Sequence, residues 1–183
     1  MDHVIIYETV DADPATDLLT VENEHGRTRV RAVGEPAEAL ELAARLADEG
    51  VDEITLCGAI GALWHGPVNA RLKDRVRVNG IYYGFESLTS VADYKARYEA
   101  GEVLAEVFLI VHEGAAPEQV LLTRPDGGTT TLATVPDLAG AVRLAGEMAA
   151  DLDLIELYGV SGPESAEPVI RAVDAEVPVG FVV

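Results

Sequence analysis

This chain is written twice, and an internal repeat of such length constrains architecture before any local reading is made. Residues from about His3 to Gly84 and from about Glu106 to Val183 follow one pattern in one order. Pro14-x3-Leu18-Leu19-Thr20 returns as Pro117-x3-Leu121-Leu122-Thr123. Ala39-x2-Leu42-Ala43-x3-Ala47 returns as Ala141-x2-Leu144-Ala145-x3-Ala149. Asp52-x-Ile54-x-Leu56-x-Gly58-x2-Gly61 returns as Asp153-x-Ile155-x-Leu157-x-Gly159-x2-Gly162. Pro67-Val68 returns as Pro168-Val169, and Val76-x-Val78 with Gly80 as Val177-x-Val179 with Gly180. The offset drifts from 103 through 102 and 101 to 100, so single-residue gaps fall near Glu22, Gly50 and Asn79.

At roughly 80 residues, each copy is near the size at which a lone hydrophobic core is marginal. The simplest solution is two similar units that bury a shared interface, an intramolecular pseudo-dimer. The chain carries a formal charge of −19, unevenly spread. Residues 1–84 hold 15 acidic and 8 basic residues, 85–105 hold 4 and 2, and 106–183 hold 13 and 3. Such a field repels nucleic acid and anionic membranes, so neither is expected as a partner. The single cysteine, Cys57, excludes an internal disulfide and a cysteine-based zinc site. His3, His25, His65 and His112 lack metal-ligand spacing, and neither a metal nor another cofactor is expected. Met1-Asp2-His3 and the short run Val4–Tyr7 do not read as a signal peptide, and no stretch approaches a membrane span. A cytoplasmic protein is expected.

Each copy opens with a short apolar strand, Val4–Tyr7 or Val107–Val111. A hairpin follows, with Leu18–Val21 and Thr28–Val33 in the first copy and Val120–Thr123 and Thr129–Val135 in the second. Its turns contain the matched Gly26 and Gly128. A helix then carries Ala39, Leu42, Ala43, Leu46 and Ala47 on one stripe, with Glu35-Pro36 before it and Gly50 after it. Its counterpart carries Ala141, Leu144, Ala145 and Met148. Strands at Glu53–Cys57 and Leu154–Tyr158 come next, then second helices at Pro67–Asp74 and Pro168–Val173. The last strands are Arg75–Tyr83 and Val177–Val183.

Strand residues alternate between apolar and polar, unlike the continuous apolar runs of a sheet covered on both faces. The expected fold is therefore α/β or α+β. It has two pseudo-symmetric repeats, each a mixed sheet of a β-hairpin plus β-α-β-α-β, with right-handed crossovers and helices mainly on one face. The domains are 1–84, a helical connector at 85–105 with Ser90 as its cap, and 106–183.

The run Asp52-Glu53-Ile54-Thr55-Leu56-Cys57-Gly58-Ala59-Ile60-Gly61, after an alanine-rich helix, resembles a family of small bacterial α/β proteins of unknown function. Val177-Pro178-Val179-Gly180 in the second copy carries the same resemblance. Its members are about one repeat long, so this chain resembles a tandem duplication of that unit. The resemblance implies a fold and no reaction. The second copy departs from it, with Tyr158 in place of the cysteine and Ser161 in place of Ile60.

Ligands of α/β sheets bind beyond the carboxyl ends of strands. Gly58-Ala59-Ile60-Gly61 and Gly159-Val160-Ser161-Gly162 fall there. Paired glycines allow close backbone approach and leave N–H groups for an anion, although they also simply make tight turns. Cys57 and His65 offer a nucleophile and a base, or a buried thiol and an exposed imidazole. Trp64 beside them is a lid or interface packing. Arg29 and Arg31, with Arg27 on the same strand face, and Arg77 with Arg75 form a cationic patch that could grip a phosphate or carboxylate, or pair with nearby glutamates. The candidate binding set is Gly58, Gly61, Cys57, His65, Arg29, Arg31, Arg77, Gly159, Ser161 and Gly162.

Two functional readings stay open. One is a site for a small anionic metabolite at the glycine loops or the inter-repeat cleft, which requires the arginines to converge on Gly58–Gly61. The other is a structural or protein-interaction module without catalysis, in which those arginines are ion-paired. No nucleophile–base–orienter set can be assembled from residues in both copies, so enzyme status stays open. If the copies form one pseudo-dimer, separately expressed halves will be unstable or self-associate in analytical ultracentrifugation. Two stable, monomeric halves would count against it.

Overall fold

Each half of the chain opens on a run that is apolar almost throughout, and each run becomes the middle one of its unit's five strands. The computed structural model describes residues 1–183 and divides into two compact units, Met1–Ile81 and Tyr82–Val183. In the first unit, β1 (Asp2–Glu8) lies between β3 (Gly26–Val33) and β4 (Glu53–Leu56), parallel to both. The edge strand β2 (Asp17–Asn23) pairs antiparallel with β3, and β5 (Arg77–Tyr83) pairs parallel with β4. The order is β2-β3-β1-β4-β5.

The second unit uses the same order and the same strand senses. Here β6 (Ala105–Val111) lies between β8 (Thr129–Val135) and β9 (Leu154–Ser161), parallel to both. At the edges, β7 (Glu118–Thr123) is antiparallel to β8 and β10 (Val179–Val182) is parallel to β9. The fold is mixed α/β, with ten strands and five α-helices in all.

The helices form where apolar residues recur at helical spacing. α1 (Glu38–Glu49) buries Ala39, Leu42, Ala43, Ala44 and Leu46, and Gly50 ends it in the left-handed region. α4 (Leu138–Met148) begins at Asp137, whose carboxylate accepts the Gly140 N–H at 2.7 Å. In the second unit, α4 and α5 (Pro163–Ala172) cover Val107 and Leu109 of β6, Ala133 and Val135 of β8, Ile155 and Leu157 of β9 and Val179 of β10. The alternate residues Glu106, Phe108 and Ile110 therefore point to the opposite face.

Three local expectations need correction. α2 (Gly61–Leu72) and α5 start well before Pro67 and Pro168, which sit inside the helices rather than in their first turns. Each proline deletes one internal hydrogen bond, and both units bear this. Ser90 does not cap the connector helix. A 3-10 turn at Phe85–Ser87 leads into α3 (Leu88–Glu99), where the Ser90 hydroxyl donates to the Ser87 carbonyl at 3.1 Å. That segment belongs to the second unit. Finally, Gly159-Val160-Ser161 is not a loop. β9 continues to Ser161, which pairs with Val182 after a register irregularity.

Gly159 is positioned within β9 at φ 77°, and a Cβ there would stand 1.9 Å from the Val111 carbonyl oxygen. Gly50 also has positive φ, but nothing lies within 4 Å of its virtual Cβ. Gly50→Ala should therefore cost only the left-handed penalty of about 1–2 kcal/mol. Gly159→Ala should cost clearly more, because the backbone of β6 or β9 must also move. Urea unfolding of the two variants checks this, and equal losses would refute the close-approach argument.

Candidate functional site

Strand ends, helix starts and buried polar groups are where a fold of this kind could do chemistry. The turn after β4 is tight. The N–H groups of Ile60 and Gly61 both point at the Cys57 carbonyl, at 3.2 and 3.5 Å. Gly61 takes φ 63° and opens α2 directly. In the second unit the Gly162 N–H donates to the Val182 carbonyl at 3.0 Å. The first turns of α1 and α4 hold carboxylates of their own. Glu38 accepts from the N–H groups of Gly34 and Glu35 at 2.8 and 3.3 Å, and Asp137 caps α4. Negative charge is favourable at a helix start, and in both helices the chain itself supplies it.

Cys57 is buried just beyond β4. Trp64 and His65 are half-buried on α2, where the His65 Nε2–H donates to the Val78 carbonyl at 3.0 Å. Glu8, at the carboxyl end of β1, is partly buried, and this desolvation raises its pKa.

The arginines lie elsewhere. Arg29 is buried and reaches Asp2 at 3.0 Å and Glu49 at 3.4 Å. Arg31 bonds Asp17 and stands 3.7 Å from Glu49, and Arg27 bonds Asp2. Glu49 is the last residue of α1 and Asp2 the first of β1, so the pairs of Arg27 and Arg29 lie toward the amino ends of the parallel strands, whereas Arg31 faces Asp17 in register and stands level with Ile6 and Leu56. Arg77 begins β5, is exposed and faces Glu53 in register. The Gly58–Gly61 turn lies at the opposite, carboxyl end of β4. Arg29 and Arg77 are remote from that turn, and Arg31, level with Leu56 but separated from it by β1, is held by Asp17 and Glu49. The structure also leaves Gly159 and Ser161 inside a strand, with Gly162 just after it.

Two features of the second unit were not singled out in the sequence. The first is a buried polar cluster on the sheet face away from α4 and α5. Glu106 and Glu156 are 6 and 3 % exposed. Glu106 accepts from the Tyr94 hydroxyl at 2.7 Å and from Thr130, and pairs with Arg124 at 3.0 Å. Glu156 accepts from the hydroxyls of Tyr83, at 3.0 Å, and Tyr158. Burial, then the charge of Glu106 and the hydrogen bond to it, pushes the Tyr94 phenol far up, so it stays protonated and donates. Arg124 also donates to the Leu104 carbonyl at 2.9 Å and lies 5.6 Å from the Tyr98 ring centroid. A Cβ on Gly128 would sit 2.2 Å from Arg124 Nη2, so that glycine makes room for the guanidinium. Every one of these side chains has a bonded partner, which makes the cluster a pinned core element. Its signal was available: glutamates sit inside the strongly apolar runs Glu106–Val111 and Leu154–Tyr158.

The second feature is an open groove of about 680 Å³ along α5. Ala166, Ile170, Ala175 and Phe181 provide its apolar lining, and Glu86, Glu167 and Asp174 bring negative charge. Phe85, between the groove residues Gly84 and Glu86, is 90 % exposed. Pro163, Ala166, Glu167, Ile170 and Arg171 recur at helical spacing on one face of α5. No three His, Cys, Asp or Glu side chains gather as a metal cage, and no helix is long and apolar enough to cross a membrane.

The chain belongs to a sequence family described as "Family of unknown function (DUF6506)", which matches residues 1–96 and 104–183. No curated protein matches the chain. Among solved structures it is similar to a conserved domain protein from Vibrio cholerae, at 16% identity and TM-score 0.30, covering 97% of this chain and 73% of that one. An ABC transporter periplasmic solute binding protein from Actinobacillus succinogenes, with bound D-allose, is similar at 8% identity and TM-score 0.31, covering 94% and 73%. A protein from Mycobacterium smegmatis is similar at 11% identity and TM-score 0.29, covering 96% and 68%.

The Asp2 cluster yields a pH prediction. Burial acts to raise the Asp2 carboxyl, but the hydrogen bond from Arg27 and the charge of Arg29 outweigh it, and the pKa falls below its ordinary 3.8. A depressed carboxyl contributes stability above its unfolded pKa and loses it as pH falls through the folded one. Asp2→Asn should therefore cost about 1.5–3 kcal/mol at pH 7, and this difference from wild type should begin to shrink as pH falls below about 4 and be gone only beneath the depressed folded pKa. Urea unfolding at a series of pH values checks it, and a gap that is constant down to acid would show that Asp2 stabilises by packing alone.

Proposed function

We propose that this chain is a non-catalytic protein-interaction module, built as a tandem duplicate of one α/β unit. The duplication is supported by matched sequence blocks and by one strand order, with matching parallel and antiparallel pairs, in both units. The interaction reading rests on one observation. The second unit presents an open groove, apolar along α5, with Phe85 exposed beside it. Contiguous apolar surface rimmed by polar groups is how soluble proteins offer a docking face.

Several observations weigh against an anionic metabolite at the glycine turns. Backbone N–H groups in both turns donate to carbonyls. Arg29 and Arg31 are held by Asp2, Asp17 and Glu49. An incoming phosphate would have to displace these bonded partners inside an acidic field.

A thermal-shift panel of phosphorylated and carboxylated metabolites at fixed salt tests this reading. No saturable rise in Tm is expected. A ligand at a hundredfold excess over its Kd would add about 2.7 kcal/mol to stability. Such a rise, abolished by Gly61→Asp, would restore the metabolite reading and overturn this one.

A further inference from the structure

Resting on the interaction reading, we propose that the groove along α5 receives a basic amphipathic segment of another protein, its apolar residues on Ile170 and Phe181 and its lysines or arginines against Glu86, Glu167 and Asp174. Charge selects this occupant. Residues 82–183 carry 17 acidic and five basic residues. Of those five, Lys95, Arg97, Arg124 and Arg171 each stand within ion-pair distance of an acidic side chain of the same unit. Arg171, the one cation lining the groove, is bonded to Glu167 on the next turn. The rim thus presents three carboxylates and one guanidinium.

A second copy of this chain would bring −19 against −19, and a nucleic acid or an anionic membrane would be repelled in the same way. A cationic partner is attracted at long range and then held by the apolar strip, which the charges alone could not do. Helix-in-groove recognition uses this combination of apolar anchors and flanking charge. The first unit does not repeat it. Aligning Pro67-Val68 on Pro168-Val169 puts Asn69 at the place of Ile170, Gly66 at that of Glu167 and Lys73 at that of Asp174. The groove chemistry is therefore confined to one half of the repeat.

The test is fluorescence anisotropy of a labelled Leu/Lys amphipathic peptide titrated with the full chain, beside a Leu/Glu peptide of the same apolar pattern. The Leu/Lys peptide should bind saturably and the Leu/Glu peptide should not. Ile170→Glu should weaken binding by about tenfold or more, the loss of a central anchor. Phe85→Ser should weaken it in the same direction, and its exposed side chain leaves folding untouched. Reversing Glu86 and Glu167 to lysine should weaken binding more than reversing Glu41 and Asp48 of α1, which changes net charge equally. Equal weakening by both reversals, with no effect of Ile170→Glu or Phe85→Ser, would overturn the proposal, since it marks diffuse attraction to an acidic protein. Tight, Ile170-dependent binding of the Leu/Glu peptide would overturn the basic partner yet leave the interaction reading standing. Binding of neither peptide would overturn both the basic partner and the groove as a docking face.

Discussion

Everything in each unit is arranged around a first strand that is hydrogen-bonded along both edges and buried on both faces. Val4, Ile5 and Ile6 are wholly inaccessible, as are Val107, Leu109 and Ile110. The strand that follows the hairpin pairs on one side of it and the strand that follows the first helix pairs on the other. α1 and α4 must therefore cross over the first strand to reach the far side. The chain order then dictates the sheet order, and the helices fall on one face because that is where their crossovers run. The apolar residues that line this face supply the burial that a unit of this size needs.

The same frame carries opposite chemistry on its other face. His3 and Thr55 share a hydrogen bond at 2.9 Å in the first unit, and Glu106 and Glu156 take the matching strand positions in the second. Replacing a neutral pair with two buried carboxylates would be costly in isolation. The second unit supplies donors from three tyrosines, a threonine and Arg124. Several of those donors come from outside the strands that carry the glutamates, so the change involves the whole face rather than one site.

The hairpins and the alanine-rich helices were legible because each depends on local periodicity or turn residues. The start of α2 was not. Pro67 reads as a helix opener by its own conformational limits, and only the direct passage from the Cys57 turn into Gly61 places it mid-helix. Gly159 failed for a related reason: its block matches Gly58, which sits in a turn, yet β9 runs through it where β4 stops. Of the candidate site, alternation correctly put Arg29 and Arg31 on one strand face. What that face meets depends on Asp2, Asp17 and Glu49, which are remote in sequence, and no local pattern announces such pairing. The α5 groove had a helical stripe to reveal it, but an apolar stripe interrupted by glutamates reads as an ordinary half-exposed helix.

α3 has no fully buried side chain. Tyr94 reaches Glu106, Arg97 bonds Asp153 and Glu102, and Tyr98 meets Arg124, so these attachments are polar, and its contribution to the apolar core is small. Local opening free energy tracks buried apolar contact, which makes α3 the segment whose amides exchange first while the five strands beneath stay protected. Its release would bring water to two carboxylates that the folded unit keeps dry, so the cohesion of this face depends on a helix tied down by hydrogen bonds and charge rather than by grease.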